Sequence, residues 1–416
     1  MFRRRARHVR RHRLVVDAVA LAVVLVAAAL AFVVHFDGSP RRASGDTYYY
    51  LSQALEFARV PSQQAHQQAG EIVCAEIHRA HLRNPTLSDC TQYVVNPPRR
   101  YVEIFTSRPG WPLLLSPFVG ALGPWRGAIV AIFLVALLAA ALVHAALRQV
   151  TGPVAAAAGA VAFSLLGTGT WAAWLLPEGA VFACTALALL GTTTWLGGGR
   201  AGLWVVASAL VMLYACKPAN GAAVSASLLA GGLVLAALPS RRGLGALLAG
   251  LGAAGLAGWM LVSRVLGLPS LEDTLQDLAT RHYVVPDMPD PYFRLRNMNE
   301  QLWTAQLDRW LGIPQPLPVI LAACVVAAVT LPRVGAVWAF VASSAVGIVV
   351  LHPLVSQYDR LLAPAWLAVC AAVAGVVGLI GPAMPRAPAL STGARPGDGH
   401  DRQRRTVGVG APQEDS

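Results

Sequence analysis

The sequence predicts an all-α protein that crosses a membrane about ten times and carries two long extracytoplasmic loops with interfacial helices. Three observations lead there. Of its residues 56% are hydrophobic and only 13% are charged. The apolar residues come in runs of about twenty, the length that spans a bilayer. Arginines stand between those runs and at both chain ends, as the positive-inside rule places them in a multi-span protein. The net charge of +12 follows from that placement and calls for no nucleic-acid partner. Lys217 is the only lysine, a bias that fits a GC-rich genome more than a function.

Residues 1–13 form an arginine–histidine cluster on the cytoplasmic side, followed by an apolar segment from Leu14 to Phe36. It is too long for the core of a signal peptide and has no small-residue cleavage site, so it is expected to stay as the first span. The first outer loop covers 37–107. In it, Tyr48, Leu51, Leu55 and Ala58 recur at helical spacing before Pro61, the pattern of a helix lying at headgroup level. Trp111 to Gly123, with Pro112 and Pro117, is too short for a span and reads as interfacial or re-entrant. Spans two to four are expected at about Arg126–Leu147, Pro153–Thr170 and Leu176–Leu196. Ala201–Leu238 is too long for one span and is broken at Lys217-Pro218-Ala219-Asn220-Gly221, which makes it spans five and six. Span seven covers about Leu244–Leu266, and a second outer loop follows over 267–316. Leu295, Leu302, Trp303, Leu307 and Trp310 give that loop its own interfacial helix. Leu317–Leu331, Gly335–Leu351 and Leu361–Ile380 complete the set, so the membrane domain is 14–382. The tail, 383–416, is rich in Gly, Pro and Arg and is expected to be disordered and cytoplasmic. With both termini inside, the arginine-bearing short loops fall on the cytoplasmic side.

The polar residues that interrupt this apolar background collect at the outer ends of the spans. They are Asp46 with Tyr48 and Tyr49, Arg108, Glu178, Lys217, and Tyr358 with Arg360. For Asp46 the bland role is a helix N-cap and the sharp one a catalytic carboxylate. Arg108 and Arg360 fit ordinary snorkelling to the interface, and Glu178 fits pairing or solvation. Lys217 is harder to dismiss in an arginine-using chain, and a compact ammonium at a helix break suits a phosphate. Cys74 and Cys90 share the first outer loop and are a plausible disulfide outside the cell. Glu76, His78 and His81 have a metal-compatible spacing without further ligands, which favours a solvated helix.

The order of these elements resembles the membrane-embedded GT-C glycosyltransferases of the protein-mannosyltransferase and aminoarabinose-transferase type. Gly45-Asp46-Thr47-Tyr48-Tyr49 resembles their acidic residue and interfacial helix after span one. Arg108-Pro109-Gly110-Trp111-Pro112 resembles the basic–proline element before span two. Glu178 opens span four, Lys217-Pro218 lies between spans five and six, and Tyr358-Asp359-Arg360 with Pro364 opens the last span. Thr47 stands where many relatives carry a second acid, so acid pairing and a divalent metal are left open. No other cofactor is implied.

The resemblance implies sugar transfer from a polyprenyl-phosphate donor to a glycan, lipid or protein acceptor outside the plasma membrane of a bacterium. Asp46 would be the general base. Arg108, Lys217 and Arg360 would hold the lipid phosphate, with Tyr48, Tyr49, Glu178 and Tyr358 in the substrate site. The alternatives are a lipid or glycolipid transporter or flippase, a lipid-linked polymer ligase, and a catalytically silent partner of the same fold. Transporters place their polar residues near the bilayer midplane. Here those residues gather at one side.

Overall fold

A computed structural model describes residues 2–39, 41–85, 98–280, 282–310, 316–332, 334–354 and 357–380. Among them the regular structure is entirely helical. Six helical stretches are long and apolar enough to cross a membrane: Leu14–Gly38, Pro124–Arg148, Glu178–Leu196, Pro218–Ala237, Pro239–Leu266 and Tyr358–Ile380. The expected tail, 383–416, and Cys90 lie outside the described residues.

The first helix, α1, runs from Phe2 to Gly38, so the basic cluster continues into the apolar segment without a break. The first polar segment folds into α2 (Gly45–Phe57), α3 (Ser62–Arg83) and α4 (Arg99–Thr106). Then come α5 (Gly110–Leu122) and α6 (Pro124–Arg148), divided at Gly123, whose φ of 81° belongs to the left-handed region. The third expected span is interrupted. Its α7 (Pro153–Leu165) stops at an extended Leu166, and α8 (Gly167–Ala172) follows as a separate short helix. Gly167 lies under the Trp366 indole, where a side chain would collide.

After α8 come α9 (Glu178–Leu196), α10 (Ala201–Cys216) and α11 (Pro218–Ala237). Lys217 is extended between α10 and α11 (φ −157°, ψ 90°), the conformation that a following proline imposes. Next is α12 (Arg242–Leu266), ended by Gly267 at φ 60°. The second polar segment contains α13 (Leu271–Ala279) and α14 (Pro291–Trp310). The chain closes with α15 (Pro316–Thr330), α16 (Gly335–Leu351), the one-turn α17 (Tyr358–Leu362) and α18 (Leu367–Ile380). Between α17 and α18 a 3-10 turn over Ala363–Trp366 absorbs Pro364.

Helix α9 is the centre of the bundle, with 78% of its apolar window buried, packed against α6 and α10. The corresponding figure for α1 is 33%, and for the stretch ending α12 it is 22%. Met260, Leu261, Val265 and Leu266 of α12 are exposed, the surface a helix presents to lipid. On its other side α12 meets α11 backbone to backbone through Gly232 and Gly245, the small-residue contact common between membrane helices.

Candidate functional site

The start of α2 is fixed by Ser44, the N-cap, whose amide donates to Thr47 Oγ1 at 3.0 Å. Asp46 therefore lies inside the first turn and is not the cap. Its carboxylate is favoured there by the helix dipole and is left to make other contacts. A backbone hydrogen bond from Leu175 to the Arg42 carbonyl (2.9 Å) ties the approach to α2 to the approach to α9. Glu178 opens α9 behind Pro177 and is only 2% exposed.

Four charged side chains from four distant segments then form one line of contacts. Arg360, on α17, donates from Nη1 to Asp46 Oδ2 at 3.0 Å and from Nε to Glu178 Oε1 at 2.5 Å. Lys217, at the α10–α11 break, donates to the same Glu178 Oε1 at 2.9 Å. Two carboxylates and two cations are formally neutral together, which is what makes their burial tolerable. Glu178 Oε2 is buried and meets no hydrogen-bond donor among the described residues. Unsatisfied buried carboxylate oxygens are costly, and at a functional site they point to a substrate or water donor.

A third cation approaches the same place. Gly110 presses on Ala215 so closely that a Cβ would lie 2.8 Å from the Ala215 backbone. This sets the Arg108-Pro109 corner against the end of α10, just before Lys217. Arg108 reaches the hydroxyl of buried Tyr50 at 3.4 Å and meets no carboxylate among the described residues. His352, at the end of α16, stands within electrostatic reach of Asp46, Lys217, Arg360 and Asp277.

The expected tyrosines are distributed differently. Tyr48 turns to His66 of α3, its hydroxyl 3.1 Å from Nδ1. Tyr49 stacks on Phe105, ring centroids 4.4 Å apart, and burial pushes its phenol above the ordinary range. Tyr50, which the sequence does not single out, is the one beside Arg108. Tyr358 packs beside Trp303, and its buried hydroxyl has no partner among the described residues. Glu76 pairs with Arg79 at 2.9 Å. Cys74 is disulfide-bonded, while Cys184, Cys216, Cys324 and Cys370 are free.

The sequence also gives no hint that the two polar segments are joined. Arg100 of α4 donates to both carboxylate oxygens of Asp287 (3.0 and 2.7 Å) and to Asp273 at 2.9 Å. Its guanidinium lies 4.4 Å from the centroid of the Tyr283 ring. Burial pushes the Asp273 carboxyl up, but hydrogen bonds from Arg100 and Ser270 outweigh it and hold it below its usual range.

A cavity of about 570 Å³ opens between α8, the start of α15 and the α17 turn. Trp171, Pro316, Val319, Leu362 and Trp366 make it largely apolar, with Asp359 contributing a carboxylate. Compared with protein-family models, curated proteins and solved structures, the chain matches none of them.

Proposed function

We propose that the chain is a membrane glycosyltransferase that moves a sugar from a polyprenyl-phosphate donor to an acceptor on the outer face of the plasma membrane. The convergence of Asp46, Arg360, Glu178 and Lys217 in one line of contacts carries this reading. Burying charged groups in one cluster is costly, and such clusters are concentrated at functional sites. These side chains also sit at helix ends on one side of the bundle, which favours a surface-facing enzyme over a midplane transport site.

In the proposed reaction Asp46 takes the proton of the acceptor hydroxyl. The acceptor oxygen bonds to the anomeric carbon as the bond to the phosphate oxygen breaks, and the electron pair leaves on the phosphate. A base so placed contributes about 10²–10⁴-fold. Arg108, free of a carboxylate among the described residues, and Lys217 supply the charge that stabilises the departing lipid phosphate. The apolar cavity at the α17 turn offers Trp171 and Trp366 to the prenyl chain.

The topology that goes with this reading has ten spans and both termini in the cytoplasm. The shorter apolar helices, such as α7 at about 20 Å, would cross a thinned or tilted part of the bundle. The direct test is incubation of the purified protein in nanodiscs with a panel of radiolabelled polyprenyl-phosphate sugars. Release of the prenyl phosphate with transfer of label is expected for at least one donor. No turnover across the panel, with binding of none, contradicts the reading.

A further inference from the structure

The second polar segment makes a turn that normally calls for glycine. His282 and Tyr283 both have left-handed backbones, with φ of 64° and 60°. Non-glycine residues held this way are strained and persist where surrounding bonds impose them. Those bonds are present. Thr280 Oγ1 accepts from the Tyr283 amide at 2.9 Å, and the Thr280 carbonyl accepts from the amides of Val284 and Val285. Gln276 closes the turn from the other side, bonding the Met288 carbonyl at 2.7 Å and its amide at 2.9 Å.

What the turn delivers is an imidazole. His282 Nδ1 lies 2.9 Å from Asp277 Oδ1, and its ring centroid is 4.5 Å from that of Tyr101. The Tyr101 ring is 5.4 Å from Tyr49, which shares a face of α2 with Asp46 one turn earlier. Asp46 and His282 thus flank one aromatic floor, within electrostatic reach of each other. With Nδ1–H donating to Asp277, the other ring nitrogen, Nε2, is the one left for a ligand. The hydrogen bond to Asp277, opposed by burial, holds the imidazole above its ordinary range.

The charges around this floor say what kind of ligand it suits. Asp46 and Asp277 face it as carboxylates. The nearby α4 cations are already occupied, Arg99 by Glu103 and Arg100 by Asp273 and Asp287. Arg108, 5.9 Å from the centroid of the Phe105 ring, is the described cation that no carboxylate occupies, and the proposed reaction gives it to the donor phosphate; tyrosine rings, imidazole and carboxylates are the groups that bind sugar hydroxyls and pyranose faces.

We propose that His282 is the acceptor-binding residue of the Asp46 site and that the acceptor is an uncharged glycan. Its attacking hydroxyl lies on Asp46, and another hydroxyl of the same glycan, across the aromatic floor, is bound by Nε2 of His282. Asp277 is a positioning residue that fixes the ring. This rests on the sugar-transfer reading above.

The test measures transfer from an accepted prenyl-phosphate sugar to three kinds of probe: neutral octyl glycosides, a glycerol-phosphate oligomer and a Ser/Thr peptide. Wild type is compared with His282→Asn, which tolerates the left-handed backbone, and with Asp277→Asn, all matched for thermal stability. The neutral glycosides are expected to be the acceptors used. Both variants are expected to raise acceptor KM about ten- to hundredfold while leaving donor KM unchanged, the loss of a hydrogen bond to a polarised group. Unchanged acceptor KM in both variants, or preference for the anionic or peptide probe, overturns the inference and leaves sugar transfer standing. Failure of wild type to turn over any donor overturns the sugar-transfer reading, and the inference with it.

Discussion

Glu178 is the residue whose removal most sharply tests how the buried charges are held. Replacing it with Gln keeps the shape and one acceptor oxygen but removes the charge shared by Lys217 and Arg360. Arg360 still has Asp46 at 3.0 Å, whereas Lys217, 14% exposed, loses its carboxylate. Breaking a buried pair by removing one partner costs about 3–5 kcal/mol, because the remaining charge stays uncompensated. The retained amide hydrogen bond puts Glu178→Gln near the lower end. For a chain of this size that lowers Tm by about 4 °C. Unfolding in detergent can be followed with a thiol-reactive dye, since Cys184, Cys216 and Cys370 are buried and free. Adding Lys217→Met removes the stranded cation, so the double variant is expected to regain about half of the lost stability. A Glu178→Gln protein within about 1 kcal/mol of wild type, or a double variant less stable than the single one, would refute the reasoning.

Four further outcomes are expected. Cysteines placed at Ser62 and Asp287 react with a membrane-impermeant thiol reagent on intact cells and one at Gly198 does not; the reverse pattern contradicts the ten-span topology. Arg100→Ala releases the second polar segment from the first, and hydrogen exchange across 271–288 speeds up several-fold. Because that arginine is partly exposed, the global loss is only about 1 kcal/mol. The pH dependence of this clamp has a definite sign. Asp273 is held below its ordinary range in the native protein, so its contribution is complete above the unfolded carboxylate pKa and lost as pH falls through the lower native one. The clamp therefore persists at pH 5, and exchange that already accelerates between pH 7 and 5 contradicts it. Finally, non-reduced peptides from fresh membranes are expected to show Cys74 joined to Cys90, a link that stabilises by about 3 kcal/mol in the chain-entropy view. Free thiols at both positions refute that pairing.

The long apolar helices and the four clustered charges were legible for the same reason. A charged residue in an apolar background stands out, and Glu178 and Lys217 each adjoin a proline that marks a helix end, while Pro364 follows Arg360 by one turn. Which groups meet was not legible, because that depends on packing. Among three consecutive tyrosines, only the rotation of α2 decides that Tyr50 rather than Tyr48 meets Arg108. Ser44 and Asp46 are both good N-caps on sequence grounds, and the Thr47 hydroxyl settles the choice in favour of Ser44. The Asp277–His282 pair was hidden among ordinary charges of a polar segment. Nothing in Thr280-Arg281-His282-Tyr283 announces left-handed backbones, since no glycine or asparagine stands there. The break at Leu166 had no proline to signal it.

The central claim is that Asp46 is the base of an outward-facing sugar transferase, and Asp46→Asn tests it most directly. Because Ser44 caps α2, the change leaves the helix start intact and removes mainly the 3.0 Å ion pair to the buried Arg360, at about 3 kcal/mol, since Arg360 keeps Glu178. Asn cannot accept the acceptor proton. Turnover of an accepted prenyl-phosphate sugar, in protein matched for amount and Tm, is expected to fall about 10²–10⁴-fold while donor binding persists. Activity within about tenfold of wild type would contradict the claim and leave Asp46 as a partner that only holds Arg360 in place.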